Sequence, residues 1–174
     1  MTEHVRIPKL RIAVVIGKNG ATKKLIEDTV QVALSINAEG EVEITKREDA
    51  LDPLAEWIGR DMVRAIGRGF PPEKAMNLIE EGMALEIMDL TEFAGKSKNG
   101  LARIESRLIG TDGKCREHIE EMTETDISIY GKTVSIIGRM EGVSIAKEAI
   151  IKLANGQMHS TVYRFLEKMR GKIQ

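Results

Sequence analysis

Alternating stretches and helical stripes follow one another in a fixed order along the chain, and that order runs twice. His4–Pro8 opens the first half with alternating character and Ala84–Met88 opens the second, and each predicts a strand. A short helix follows in each half. After it, Leu25, Ile26 and Val30 recur at helical spacing, as do Cys115, Ile119 and Met122, which predicts a second short helix. Val32–Asn37 and Glu41–Thr45 then read as strands joined through Ala38-Glu39-Gly40, and Asp126–Tyr130 and Thr133–Gly138 as strands joined through Gly131-Lys132. Glycine at both turns predicts hairpins. Leu54, Ile58, Met62 and Ile66 form one stripe and Val143, Ala146, Ile150 and Leu153 another, so a longer helix closes each half. The expected fold class is α+β: β-α-α-β-β-α twice, each copy a three-stranded sheet packed by helices.

Residue identities agree with this pattern. At an offset of 93, the step from Ile16 to Ile109, the residues Ile16, Gly17, Gly20, Ile26, Glu27, Ser35 and Ile36 fall on Ile109, Gly110, Gly113, Ile119, Glu120, Ser128 and Ile129. Each copy is long enough for its own core, so two tandem domains are expected, 1–82 and 83–174, rather than a solenoid. Gly67-Arg68-Gly69-Phe70 reads as a glycine-capped helix end leading to Pro71-Pro72 and an added helix, Glu73–Glu81, expected to bridge the units. Thr161–Met169 is its expected counterpart after the second unit.

The two short helices of each half are separated by a glycine turn: VVIGKNGATKKLI from Val14 to Ile26, and RLIGTDGKCREHI from Arg107 to Ile119. Such a turn leaves the first backbone N–H groups of the second helix free at the positive end of its dipole, which attracts an anion. Glycines permit left-handed dihedrals and let a phosphate approach without a Cβ in the way. The surroundings are basic. Arg11 to Lys24 carries Arg11, Lys18, Lys23 and Lys24 and no acid, and Lys96 to Arg116 carries Lys96, Lys98, Arg103, Arg107, Lys114 and Arg116 against Glu105 and Asp112. A charge run alone is as readily a solvated face, and a single glycine pair arises by chance. Two identically placed pairs, each preceded by isoleucine and followed by a basic helix, are specific. Ile16, Ile26 and Ile36 are floor candidates for an apolar groove in the first copy, with Ile109 and Ile129 at matching positions in the second.

Ile16-Gly17-Lys18-Asn19-Gly20 and Ile109-Gly110-Thr111-Asp112-Gly113 resemble the hallmark of the type I KH-domain family, and the resemblance spans nearly the whole chain. It implies a module that clamps about four nucleotides of single-stranded RNA or DNA along the loop. On that resemblance the RNA-binding residues are Ile16, Gly17, Lys18, Asn19, Gly20, Lys23, Lys24 and Ile36 in the first copy, and Arg107, Ile109, Gly110, Thr111, Asp112, Gly113, Lys114, Arg116 and Ile129 in the second. An aromatic content of 3% agrees with aliphatic grooves rather than stacking platforms. Ala65–Ala75, Tyr130–Val134 and His159–Glu167 further resemble the Krr and Dim type of small-subunit ribosome assembly factors. That resemblance implies binding to small-subunit ribosomal RNA near its 3′ end, beside the nuclease that trims it, with the alpha subunit of translation initiation factor two as a partner in archaea.

The copies differ at one charged position. Asp112 puts a carboxylate where a phosphate is expected, whereas the first loop offers Lys18 and Asn19. Repulsion at an exposed loop amounts to about 1 kcal/mol, so the first loop is expected to contribute more. The resemblance implies the opposite, since eukaryotic relatives keep the glycine loop in their second unit. Asp112 also supports an adaptor reading, in which one unit docks a protein and the other alone binds RNA.

Other chemistry is weaker. Ala94-Gly95-Lys96-Ser97 ends like a phosphate-binding P-loop, but Leu90 stands where its first glycine is required. His4, His118 and His159 lie far apart without ligand spacing, so no metal is expected, nor any cofactor. Cys115 follows the second loop at a helix start beside basic residues, where a thiol pKa can be lowered; with no base at hand, a buried bystander thiol is the better reading. Trp57 and the methionines Met62, Met76 and Met169 read as packing residues. No acid–base pair stands out, so the chain is read as a non-enzyme. With 174 residues, 42% hydrophobic, the chain can bury two small cores. A net charge of -1 excludes wholesale electrostatic binding but not local patches. The run Ile12–Ile16 is far too short to span a bilayer, and a single cysteine with no signal-peptide pattern makes a cytoplasmic location the expectation.

Overall fold

The first unit begins with β1 (Thr2–Arg6) and the helices α1 (Lys9–Ile16) and α2 (Ala21–Val30), then the hairpin β2 (Val32–Ile36) and β3 (Glu41–Lys46). It ends with α3 (Ala55–Gly67) and α4 (Pro72–Ala75), the latter running into a 3-10 turn, Met76–Ile79. The second comprises β4 (Met83–Asp89), α5 (Thr91–Ala94), α6 (Lys98–Ile109), α7 (Lys114–Thr123), β5 (Asp126–Tyr130), β6 (Thr133–Arg139), α8 (Met140–Ala154) and α9 (His159–Met169). This computed structural model describes residues 2–95 and 97–173, and the chain divides into two compact units between Glu81 and Gly82. Lys96, which falls in the basic run and the P-loop-like segment, lies outside the described residues.

The architecture is α+β, with one three-stranded antiparallel sheet per unit in the orders β1-β3-β2 and β4-β6-β5. Strand periodicity explains the first sheet: Val32, Leu34, Val42 and Ile44 point inward and are buried, while Glu41, Glu43 and Ser35 on the alternate positions stay exposed. Val15, Ile26, Val30, Met62, Val63 and Ile66 cover the inner face from the helices. Leu54, expected on the α3 stripe, is instead an exposed N-cap, and Ala55, Gly59 and Val63 complete the buried face. The second core joins Ile127, Val134 and Ile136 to Leu108, Ile119, Ala146, Ile150 and Leu153, with Val162 and Leu166 brought in by α9.

The segment expected as a helix over Glu73–Glu81 is shorter, and its Ala75 and Leu78 are buried within the first unit, where it packs on α3. The short helix α5, which the sequence pattern did not suggest, is started by Asp89, whose carboxylate accepts from the Thr91 backbone N–H at 2.9 Å and its hydroxyl at 2.6 Å. Those hydrogen bonds hold the Asp89 carboxyl below its usual value. Met62 is core as expected, Met76 and Met169 are half-buried, and Trp57 is 45% exposed with its indole N–H donating to Glu3.

One device repeats at the same place in both units. The Glu27 carboxylate accepts from the Leu34 backbone N–H at 2.9 Å and pairs with Lys23 at 3.8 Å, one helical turn back. Glu120 accepts from Ile127 N–H at 2.8 Å and pairs with Arg116 at 3.1 Å. Each carboxylate thus ties the helix after the glycine turn to the strand beside it and neutralises one basic residue of that helix. Glu120→Ala leaves the Ile127 N–H without its acceptor and is expected to cost about 1–3 kcal/mol in urea denaturation; a loss within experimental error would show the tie to be ornamental.

Candidate nucleic-acid interface

The glycine turns have the same geometry in both units. Gly17 and Gly110 sit at φ 75°, ψ 174° and φ 74°, ψ 179°; Gly20 and Gly113 sit at φ 75°, ψ 13° and φ 75°, ψ 9°. The first glycine of each pair ends its helix, with Gly17 N–H donating to Ala13 at 2.8 Å and Gly110 N–H to Ser106 at 2.9 Å. It also lies against the next helix: a Cβ on Gly17 would stand 2.7 Å from the Thr22 nitrogen, and one on Gly110 2.6 Å from the Cys115 Cβ. The second glycine faces open space. A Cβ on Gly20 would meet nothing within 4 Å, and one on Gly113 only the Arg116 guanidinium at 3.9 Å. The first glycine therefore serves packing, and the second leaves the backbone bare where a ligand can approach.

Asn19 and Asp112 occupy the same left-handed conformation, φ 55°, ψ 29° and φ 55°, ψ 28°. Asn and Asp are the side chains that tolerate this region best. The Asp112 carboxylate is thus accounted for by backbone geometry. Lys18, Lys24 and Lys114 have no ion-pair partner among the described residues, whereas Lys23 and Arg116 are held by their glutamates. Ile16, Ile36 and Ile129 are half-buried and Ile109 is 38% exposed, so all four keep surface to offer. Ile26 does not. At 0% exposure it is core, because its side chain points from α2 into the sheet, and it drops out as a groove floor.

Arg107 turns away from Ile109: two residues back on α6 is about 200° around the helix. Its guanidinium donates to the carbonyls of Leu153, at 3.2 Å, and Gln157, at the end of α8. In the first unit Arg11 does the same for α3, donating to Ile66 at 2.8 Å and Phe70 at 3.0 Å. Each arginine donates to carbonyls at the negative end of a helix dipole. The two stand at different positions of the repeat, so the offset of 93 does not pair them.

Behind the second loop, α9 brings together residues that are far apart in sequence. His118 and Tyr163 rings lie 4.3 Å apart, His159 and Tyr163 6.1 Å, and His159 Nε2 meets the Arg107 carbonyl at 2.9 Å. Tyr163 shares a hydrogen bond with Cys115. Burial pushes the Cys115 thiol up rather than down, in accord with a bystander thiol, and burial together with Cys115 pushes the Tyr163 hydroxyl up to about 12. The spacing of His159 and Tyr163, one turn apart on a helix, was the available sequence signal. Because both raised groups keep their protons longer when folded, their stabilisation is complete below the unfolded pKa and is lost as pH rises through the folded one. For Tyr163 that window runs from 10.0 to about 12. The urea midpoint is expected to fall across it, and Tyr163→Phe should flatten part of that fall; an unchanged slope would count against this linkage.

Among the described residues, no group of three or more His, Cys, Asp or Glu could hold a metal, and no helix is long and apolar enough to cross a membrane. What remains is a small α+β module built around a helix pair with a glycine-bracketed turn, next to a hairpin. Residues 84–171 match the model of the eukaryotic-type KH domain (KH-domain type I), in its PNO1 second-domain form, and the chain belongs to the KH-domain family. It is 46% identical over 172 residues to the KH domain-containing protein MJ0443 of Methanocaldococcus jannaschii, covering 99% of this chain and 75% of that one. It is 30% identical over 141 residues to the pre-rRNA-processing protein PNO1 of Chaetomium thermophilum, covering 79% of this chain and 53% of the relative, so it spans about half of that protein's length. Among solved structures, it matches a chain of the a/eIF2alpha-aDim2p-rRNA complex from Pyrococcus horikoshii with a TM-score of 0.93 and 49% identity, covering 99% of this chain and 95% of that one.

Proposed function

We propose that the protein is a non-catalytic RNA-binding factor of two type I KH modules in tandem, 1–82 and 83–174, acting on small-subunit ribosomal RNA during its maturation. The observation that carries this reading is the second glycine of each loop, bare to solvent at a left-handed φ and flanked by lysines without ion-pair partners among the described residues. The first unit supports its place in the pair by repeating the sheet order and loop dihedrals of the second and, apart from α5, its order of elements through the hairpin and the long helix after it. Backbone phosphates lie on Gly17–Gly20 and Gly110–Gly113, with Lys18, Lys24 and Lys114 supplying charge and Ile16, Ile36, Ile109 and Ile129 meeting the bases. The Dim2p relative's complex supports ribosomal RNA and the alpha subunit of initiation factor two as partners, and a cytoplasmic setting fits both. The adaptor reading loses its main support, since Asp112 suits a left-handed position that Asn19 shares.

Titration with a single-stranded oligonucleotide from the 3′ end of small-subunit ribosomal RNA, against a scrambled control and at several salt concentrations, tests the proposal. Preference for the native strand and a logarithmic salt slope of about -0.7 per neutralised phosphate are expected. Equal binding of both strands would remove the ribosomal assignment, and no binding would remove the RNA reading altogether.

A further inference from the structure

A pocket of about 560 Å³ opens behind the second glycine loop, lined by Ser106, Arg107, Gly110, Thr111, Lys114, Cys115, His159 and Tyr163. It lies where α6 presents Arg107, about 200° around the helix from Ile109, and none of the groove isoleucines lines it. Its size is within the range of pockets that hold small ligands, about 300–1,000 Å³. The lining has a consistent chemistry: two ring systems, the Ser106 and Thr111 hydroxyls, the Lys114 ammonium and no carboxylate, with the Arg107 guanidinium tied to the Leu153 and Gln157 carbonyls. The His159 ring is oriented by the Arg107 carbonyl, to which its Nε2–H donates at 2.9 Å. Tyr163 is braced by His118 behind it and tied to Cys115. The rings are therefore preorganised without a ligand.

We propose that this pocket is a nucleotide subsite, taking a base against Tyr163 and His159 and the attached phosphate on Lys114, for the nucleotide that adjoins the strand clamped on the second loop. The proposal rests on the RNA reading above and extends it. Gly110, Thr111 and Lys114 belong to both the loop and the pocket, so a strand passing over the loop reaches the pocket without a break. A second pocket of about 550 Å³, lined by Asn99, Ala102, Arg103, Ser106 and Arg107, continues along α6 and adds a cation, Arg103. At the repeat offset, the first unit has Ala13, Val14, Lys18, Ala21 and Thr22 at the positions of Ser106, Arg107, Thr111, Lys114 and Cys115, so most of the lining is not repeated there. The extra subsite assigns the second unit a strand longer than the first unit holds.

The test uses the full chain and single-stranded RNAs of about four, five and six nucleotides, titrated into the unaltered protein and into Ser106→Glu. Ser106 is exposed on α6, so the added carboxylate enters the pocket rim without disturbing the core. The expected result is a gain of about tenfold in affinity when one nucleotide is added beyond the clamped strand, as for one stacked base, and loss of that gain in Ser106→Glu with the shortest RNA bound as before. Equal affinity across lengths, or a gain that Ser106→Glu leaves intact, overturns the proposal. If no RNA binds, the RNA reading itself fails; AMP or CMP shifting the His159 and Tyr163 ring resonances would then support the pocket as a site for a free nucleotide, and no shift would overturn that too.

Discussion

Alanine at Gly17 or Gly110 is expected to destabilise its unit by about 3 kcal/mol, enough to show as a separate early transition in urea. Two costs combine. The dihedrals, φ 75°, ψ 174° and φ 74°, ψ 179°, fall in a region that is essentially reserved for glycine and strains other residues by about 1–3 kcal/mol. The new Cβ would also stand 2.7 Å from the Thr22 nitrogen or 2.9 Å from the Cys115 nitrogen, so the two helices must part, a further 1–3 kcal/mol or so. Gly20→Ala and Gly113→Ala keep the fold at a cost nearer ~1–2 kcal/mol, because their dihedrals are ordinary left-handed ones and the added methyl meets open space. Those two should instead weaken RNA binding. Equal destabilisation at all four glycines would contradict this division between a packing glycine and a ligand-facing one.

The second large effect is on binding. Lys18→Asp with Asn19→Asp is expected to lower RNA affinity about a hundredfold at low salt and to flatten the salt slope by about 0.7 for each phosphate no longer neutralised. The backbone tolerates the change, since Asp112 already sits at the dihedrals that Asn19 adopts. Thr111→Asp should cost less, about tenfold, because its loop already carries a carboxylate and draws on Lys114. Filter binding or fluorescence anisotropy at matched salt would rank the two. The reverse ranking would mean that the second loop is the principal clamp, as the resemblance to the eukaryotic factors implies, and that its carboxylate is offset by charge nearby.

The loops themselves were legible because their requirements are local. Two glycines three apart, preceded by isoleucine and followed by a basic helix, specify a turn whose backbone conformation depends little on the rest of the fold. The place of Asp112 was harder to read. A carboxylate at Asp112 looks like a defect in an anion site until its left-handed dihedrals are known, and these cannot be distinguished from a helical residue's by composition. Ile26 looked like a groove residue because helical spacing gives a stripe without saying which edge of the stripe is covered. Packing of α2 on the sheet resolved that, burying Ile26 completely and leaving Ile16 half-buried.

By itself, the sequence determined the α+β class, the strands of the two three-stranded sheets and the glycine turns, since these follow from periodicity and turn chemistry over a few neighbouring residues, while the extra helix α5 escaped it. Tertiary structure alone decided which basic residues are available and what surrounds the second loop. Lys23 and Arg116 are held by Glu27 and Glu120, each also anchored to a strand amide, and Arg11 and Arg107 are occupied by carbonyls at the ends of α3 and α8. The cluster of Cys115, His118, His159 and Tyr163 exists because α9 docks on α7 and α8, bringing residues from separate parts of the second unit within hydrogen-bonding and ring distance. Such meetings depend on how helices pack at long range, and no local pattern of hydrophobic and polar positions encodes that.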